Sequence, residues 1–97
     1  MIEAIKEAVF QNTGFSFDEF TEPDKKREKY FARLIFAYFC MKLSKMNYRS
    51  VAVMVKRSPS TVFRYTEFYL NEKKVNPDFR KLATLTEKKL TSDNVLM

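Results

Sequence analysis

Residues 51–65 read Val-Ala-Val-Met-Val-Lys-Arg-Ser-Pro-Ser-Thr-Val-Phe-Arg-Tyr, and this order predicts two helices meeting at a large angle across a short turn. Ala52 is small enough to let a second helix approach the first closely. Ser58 is a favoured N-cap, and Pro59 suits the first helical position, where a missing N–H leaves no helical bond unmade. The second helix therefore starts sharply at Pro59. Val62 is expected to point into the core close to Ala52, with Ser60, Thr61 and Arg64 on the opposite face near the helix N-terminus. One position conflicts with the pattern. Lys56 stands in the turn where glycine is usual, so it must take a left-handed conformation or the turn must differ.

The neighbouring sequence extends the helical reading. A short helix is predicted over Tyr48–Val55, preceded by a break at Ser44–Asn47. Upstream, Pro23 and Asp24 are expected to open a helix running to about Leu43. Its stripe of Tyr30, Phe31, Leu34, Tyr38 and Met41 is widened by Ile35, Phe36 and Phe39, which places it at the centre of a bundle. Ile2, Ile5 and Val9, with Ala4 and Ala8, mark an amphipathic first helix. Gly14, the only glycine, falls where a left-handed C-terminal cap belongs. Ser16-Phe17-Asp18-Glu19 has the capping-box spacing for a short helical turn that carries Phe17 and Phe20 inward. Asn76-Pro77-Asp78 starts a last helix with a thin apolar face of Phe79, Leu82, Ala83 and Leu90. The expected architecture is all-α: one domain over residues 1–97, a bundle of five or six helices, with 91–97 frayed.

Charge is unevenly spread. The chain of 97 residues carries a net +6. Residues 1–24 hold one base, Lys6, against six acids. Residues 25–66 hold eleven bases against Glu28 alone, and no acid lies between Glu28 and Glu67. A solubilising surface mixes both signs, whereas a long stretch of one sign suits a polyanionic partner.

Other classes find little support. There is no histidine and one cysteine, Cys40, which reads as a small buried apolar residue rather than a reactive thiol and suits a reducing compartment. No zinc site and no pair of carboxylates in an apolar setting can be assembled, so an enzyme is not expected. The charged N-terminus has no secretory h-region, and the apolar run Leu34–Met41 is far shorter than the ~20 residues of a membrane span. One glycine leaves no phosphate-binding loop, so neither an ATP site nor any cofactor is expected.

The segment 51–65 resembles a general helix-turn-helix. From Ile2 to Leu90 the chain further resembles the DNA-binding domain of the bacterial replication initiator DnaA. Phe15-Ser16-Phe17-Asp18-Glu19-Phe20 resembles the segment after that domain's first helix. Lys25-Lys26-Arg27-Glu28 falls at its basic loop, and Ala32-Arg33-Leu34-Ile35-Phe36-Ala37-Tyr38-Phe39 is similar to its Ala-Arg-Gln-Ile-Ala-Met-Tyr-Leu helix. Arg57-Ser58-Pro59-Ser60-Thr61-Val62 stands where the family reads Arg-Asp-His-Ser/Thr-Thr-Val. Asp78-Phe79 matches the start of the final helix only loosely.

The resemblance implies a Trp-repressor-like fold and three kinds of DNA contact. Lys25 or Arg27 would enter the minor groove; Ser58, Pro59 and Ser60 occupy the base-reading positions; Thr61 and nearby bases would hold phosphates. The family's Asp-His pair is absent, so its sequence preference does not carry over. The candidate DNA-binding residues are Lys25, Arg27, Arg49, Lys56, Arg57, Ser58, Pro59, Ser60, Thr61 and Arg64. The expected function is sequence-specific binding of double-stranded DNA by a cytoplasmic, nucleoid-associated regulator or replication accessory. A protein of the replication or transcription machinery is a further expected partner. The competing reading is a protein–protein adaptor, docking through the acidic N-terminal face or the surface of Phe63, Tyr65, Phe68 and Tyr69, of which Tyr65 and Tyr69 are expected in the core.

Overall fold

The apolar run between Arg33 and Lys42 lies within a 17-residue helix that the rest of the chain surrounds. The computed structural model of the protein describes residues 1–23 and 26–95. In chain order the helices are α1 (Ile2–Thr13), α2 (Phe17–Phe20), α3 (Arg27–Leu43), α4 (Tyr48–Val55), α5 (Pro59–Phe63), α6 (Tyr65–Val75) and α7 (Pro77–Val95). Helices α1, α2, α4, α6 and α7 all pack on α3, and α5 bridges α4 and α6. The described residues are all-helical, as the sequence predicts, with no strand among them.

Phe31 to Ala37, Phe39 and Cys40 are all buried, so α3 is enclosed on nearly every side. Two aromatic groups fill the space around it. Phe17, Phe20 and Phe36 meet with ring centroids 5.3 to 5.6 Å apart. Tyr38 stacks on Tyr69 at 3.8 Å, and Phe79 meets both Tyr69 and Phe31 edge-on. Helix α7 closes the far side through Phe79, Ala83, Thr86 and Leu90, and Asn12 of α1 donates to the Thr86 hydroxyl at 3.3 Å. Among the described residues no helix is long and apolar enough to cross a membrane.

The local start and stop signals act where they stand. Gly14 adopts φ 81 and its N–H caps α1 through Phe10 O. Ser16 and Glu19 form both halves of the capping box. Asn47 accepts from Ser50 N–H, and Asn76 from the N–H groups of Asp78 and Phe79. Each side chain satisfies a donor that the helix itself cannot.

Three boundaries differ from expectation. The helix expected from Pro23 starts at Arg27. Asp24, the other residue expected to open it, lies outside the described residues, and the Glu22 carbonyl that would accept the first bond of a helix beginning at Pro23 is held by Arg57. Arg33 holds Phe20 O, and Arg57 holds Thr21 O and Glu22 O. The first α3 backbone bond is Tyr30 N–H to Lys26 O. The helix from Pro59 is interrupted at Arg64, whose N–H reaches back three residues to Thr61 O at 3.2 Å. Val62, Tyr65 and Tyr69 are buried on either side of the break and keep the i, i+3, i+7 spacing of one helical face. With this break there are seven helices among the described residues, against the five or six expected. Finally, backbone helix continues to Val95 instead of ending at Leu90.

Candidate nucleic-acid interface

The turn between α4 and α5 is closed by a left-handed residue. Lys56 takes φ 59 and ψ 44, the first of the two alternatives open to it. Arg57 N–H bonds Ala52 O at 3.1 Å and Lys56 N–H bonds Val53 O at 3.4 Å. These are the paired bonds of a Schellman cap, which ends a helix by turning its last carbonyls onto the following amides. A lysine fills the place that glycine fills without steric cost.

Ser58 then caps α5. Its Oγ accepts from Thr61 N–H at 3.3 Å and shares a hydrogen bond with the Thr61 hydroxyl at 2.8 Å. Pro59 occupies the first turn. Val62 is fully buried and Ala52 is 2% exposed, as the motif requires. Pro59, Ser60, Thr61, Phe63 and Arg64 all face outward.

Arg57 has a different position from its neighbours in the candidate set. Its guanidinium donates to the carbonyls of Thr21 at 3.2 Å, Val55 at 3.0 Å, Lys56 at 3.1 Å and Glu22 at 2.8 Å. It fastens the helix-turn-helix to the strand of chain that leads into α3.

Two clefts flank α5. On one side Arg27, from the first turn of α3, joins Lys56, Arg57 and Thr61 around a groove of about 650 Å³. Tyr30, Tyr65 and Phe68 form its aromatic wall, and every charged side chain among its described lining residues is a base. On the other side Arg49 joins Pro59, Ser60 and Phe63. Several of these cations rest on rings: Arg27 lies 5.1 Å from the Phe31 centroid, Arg49 5.5 Å from Tyr48 and Arg64 5.1 Å from Phe68. Such contacts orient an exposed guanidinium without neutralising it. The fold thus gathers Arg27, Arg49, Lys56, Ser58, Pro59, Ser60, Thr61 and Arg64 around one helix. Lys25 lies outside the described residues.

Two residues around this site escape a reading of the sequence in those roles. Arg33 is 4% exposed and binds Phe20 O at 3.0 Å; its place directly before the apolar run of α3 is the only signal. Tyr30 lines the groove, and burial, reinforced by Tyr65 and Glu72, raises its hydroxyl above the ordinary tyrosine range. Phe63, which the adaptor reading puts on the surface, is 66% exposed and meets Tyr48 edge-on at 5.1 Å.

This arrangement of capped helix, left-handed turn and exposed second helix defines a helix-turn-helix protein. Residues 2–67 match the family described as bacterial DnaA protein helix-turn-helix, which is more than half the chain, and the protein belongs to that family. No curated protein matches the chain. The matched stretch ends in the first turn of α6, short of the resemblance seen as far as Leu90. It covers α1 to α5 and hence the whole helix-turn-helix. Membership implies DNA binding, and such a domain is not by itself catalytic.

Proposed function

We propose that the protein binds double-stranded DNA in a sequence-specific manner, with α5 in the major groove, as a small regulator or replication accessory. The observation that carries this reading is the outward face of α5. Ser60, Thr61 and Arg64 stand exposed on a firmly capped helix between Arg49 on one side and Arg27 and Lys56 on the other. Arg27, with Lys25 before it, serves the minor groove. Thr61 and Lys56 hold phosphates, and Ser58, Pro59, Ser60 and Arg64 meet base edges. Ser58 is half committed, since its hydroxyl already caps the helix. Pro59 offers only apolar contact. Base reading therefore rests mainly on Ser60 and Arg64.

Selection of bound sequences from a random duplex pool tests the specificity directly. Titration at several salt concentrations tests the electrostatics, because each neutralised phosphate contributes about −0.9 to the slope of log affinity against log salt. With roughly four to six phosphate contacts the slope is expected near about −4 to −5. A flat salt response, or no duplex binding at ~50 mM salt, would replace this reading with the protein–protein adaptor.

A further inference from the structure

Arg33 presents a charged donor that the folded chain leaves unanswered. Its side chain is 4% exposed. Nη1 donates to Phe20 O at 3.0 Å, but the buried Nε has no hydrogen-bond partner. Buried donors in native proteins are nearly always paired, and an unpaired one on a charged group is more costly than on a neutral one. Arg33 lines the groove between α3 and the helix-turn-helix, which is otherwise walled by Tyr30, Tyr65 and Phe68 and rimmed by Arg27 and Lys56. Its volume of about 650 Å³ falls in the range of small-molecule sites.

We propose that this groove is an effector site for a small aromatic anion, a planar ring bearing a carboxylate or phosphate, whose occupancy weakens DNA binding. The ring lies against the aromatic wall and the anionic oxygens meet the rim cations and the Arg33 guanidinium, whose buried Nε gains a partner only when the side chain shifts as the ligand enters. Charge-assisted bonds to a guanidinium are the strong kind. A duplex lying across the mouth meets Arg27 and Lys56 first, whereas only a slender molecule enters as far as Arg33. Lys56 and Thr61 belong both to the groove and to the proposed DNA surface, so the two ligands compete. The competition rests on the DNA reading above; the groove's own binding does not.

The test follows the Arg33 Nε–Hε signal of the ¹⁵N-labelled chain by NMR, without DNA. Adenosine monophosphate and 4-hydroxybenzoate represent the two sources of the anion; adenosine and inorganic phosphate separate ring from charge. A saturable shift at Arg33, Tyr30 and Tyr65 with one of the first pair, and none with either half alone, is the expected result. No saturable shift with either compound, or an equal response to inorganic phosphate, overturns the proposal. Arg33→Gln should weaken binding about tenfold or more. Should that variant fail to fold by circular dichroism, Tyr30→Leu, nearer the surface, provides the same comparison. Binding indifferent to the substitution overturns the assignment. Saturating ligand should also lower duplex affinity about tenfold, and unchanged affinity overturns the competition. Absence of duplex binding in ligand-free protein would instead sink the DNA reading alone, since the first titration contains no DNA.

Discussion

The guanidinium of Arg57 donates to the backbone carbonyl of Glu22 at 2.8 Å, across 35 residues of sequence. With its bond to Thr21 O, this contact holds the helix-turn-helix at a fixed angle to the entry of α3. A lysine cannot copy it, because the planar fork addresses several carbonyls at once. Arg57→Lys and Arg57→Ala should therefore both destabilise the fold, by about 2 kcal/mol for the alanine variant, given that hydrogen bonds to charged groups contribute ~1.5–3 kcal/mol and the site is half exposed. Thermal unfolding measures this. A variant as stable as the parent would return Arg57 to the set of free DNA-contacting residues.

Lys56 separates stability from binding. A side chain at φ 59 is strained by its Cβ, by ~1–2 kcal/mol, and glycine removes that strain while adding chain entropy to the unfolded state. Lys56→Gly should be more stable than the parent by about 0.5–1 kcal/mol, whereas Lys56→Ala should gain nothing. Both lose the same charge, so both should bind duplex DNA more weakly, with a salt slope shallower by about one unit. Denaturant midpoints and salt titrations of the pair decide. Equal stability of the two variants would show that the turn does not force the left-handed conformation.

The parts of this fold that were legible in sequence are those decided within four residues. Gly14, the Ser16–Glu19 box, Asn47, Ser58-Pro59 and Asn76 all act on amides of their own turn, so their roles can be read in place. Periodicity exposed the apolar faces of α1, α3 and α7 in the same way. The start of α3 was not legible, since it depends on Arg57 taking the Glu22 carbonyl from 35 residues away. The break at Arg64 was not legible either, since Val62, Tyr65 and Tyr69 keep the spacing of a single uninterrupted helical face. Within the candidate site, the outward face of α5 could be read from one helix. The groove of Arg33, Tyr30, Tyr65 and Phe68 exists only once α3 and α6 are brought together.

Cys40 supplies a pH signature. Burial pushes its thiol up to about 12 from an ordinary 9.0, so the folded chain keeps a proton that the unfolded chain releases. Stability from this group is present below pH 9 and is lost as pH rises toward 12. Tyr30 and Tyr69, also raised by burial from an ordinary 10.0, add the same trend, which sets in as pH approaches 10. Unfolding free energy of the parent should fall between pH 9 and 10, and that of Cys40→Ala should fall less steeply there, the two tyrosines alone supplying its slope. The native thiol should also resist alkylation at pH 8 until denaturant is added. Rapid labelling of the native protein would contradict its burial.

Arg64 and Arg27 are both exposed and both lie 5.1 Å from a ring, yet they should fail differently. Arg64 follows the last turn of α5, four residues after Ser60 and opposite buried Val62. In the major groove it can pair with guanine through two hydrogen bonds, worth ~1–3 kcal/mol of discrimination against a wrong base. To do so its guanidinium leaves the face of Phe68, a contact of roughly 0.5–1 kcal/mol at an exposed site, which lowers the net gain. Arg64→Ala should thus reduce affinity for a selected site by about tenfold and affect a scrambled duplex much less. Arg27 begins α3 on the other wall of the groove, where a contact to phosphate or minor groove carries little base information. Arg27→Ala should weaken binding to both duplexes alike and make the salt slope shallower by about one unit. Paired titrations on the selected and scrambled duplexes distinguish the two. An equal loss on both for Arg64→Ala would make Arg64 a phosphate clamp. Ser60 and its neighbours would then be left as the readers of sequence.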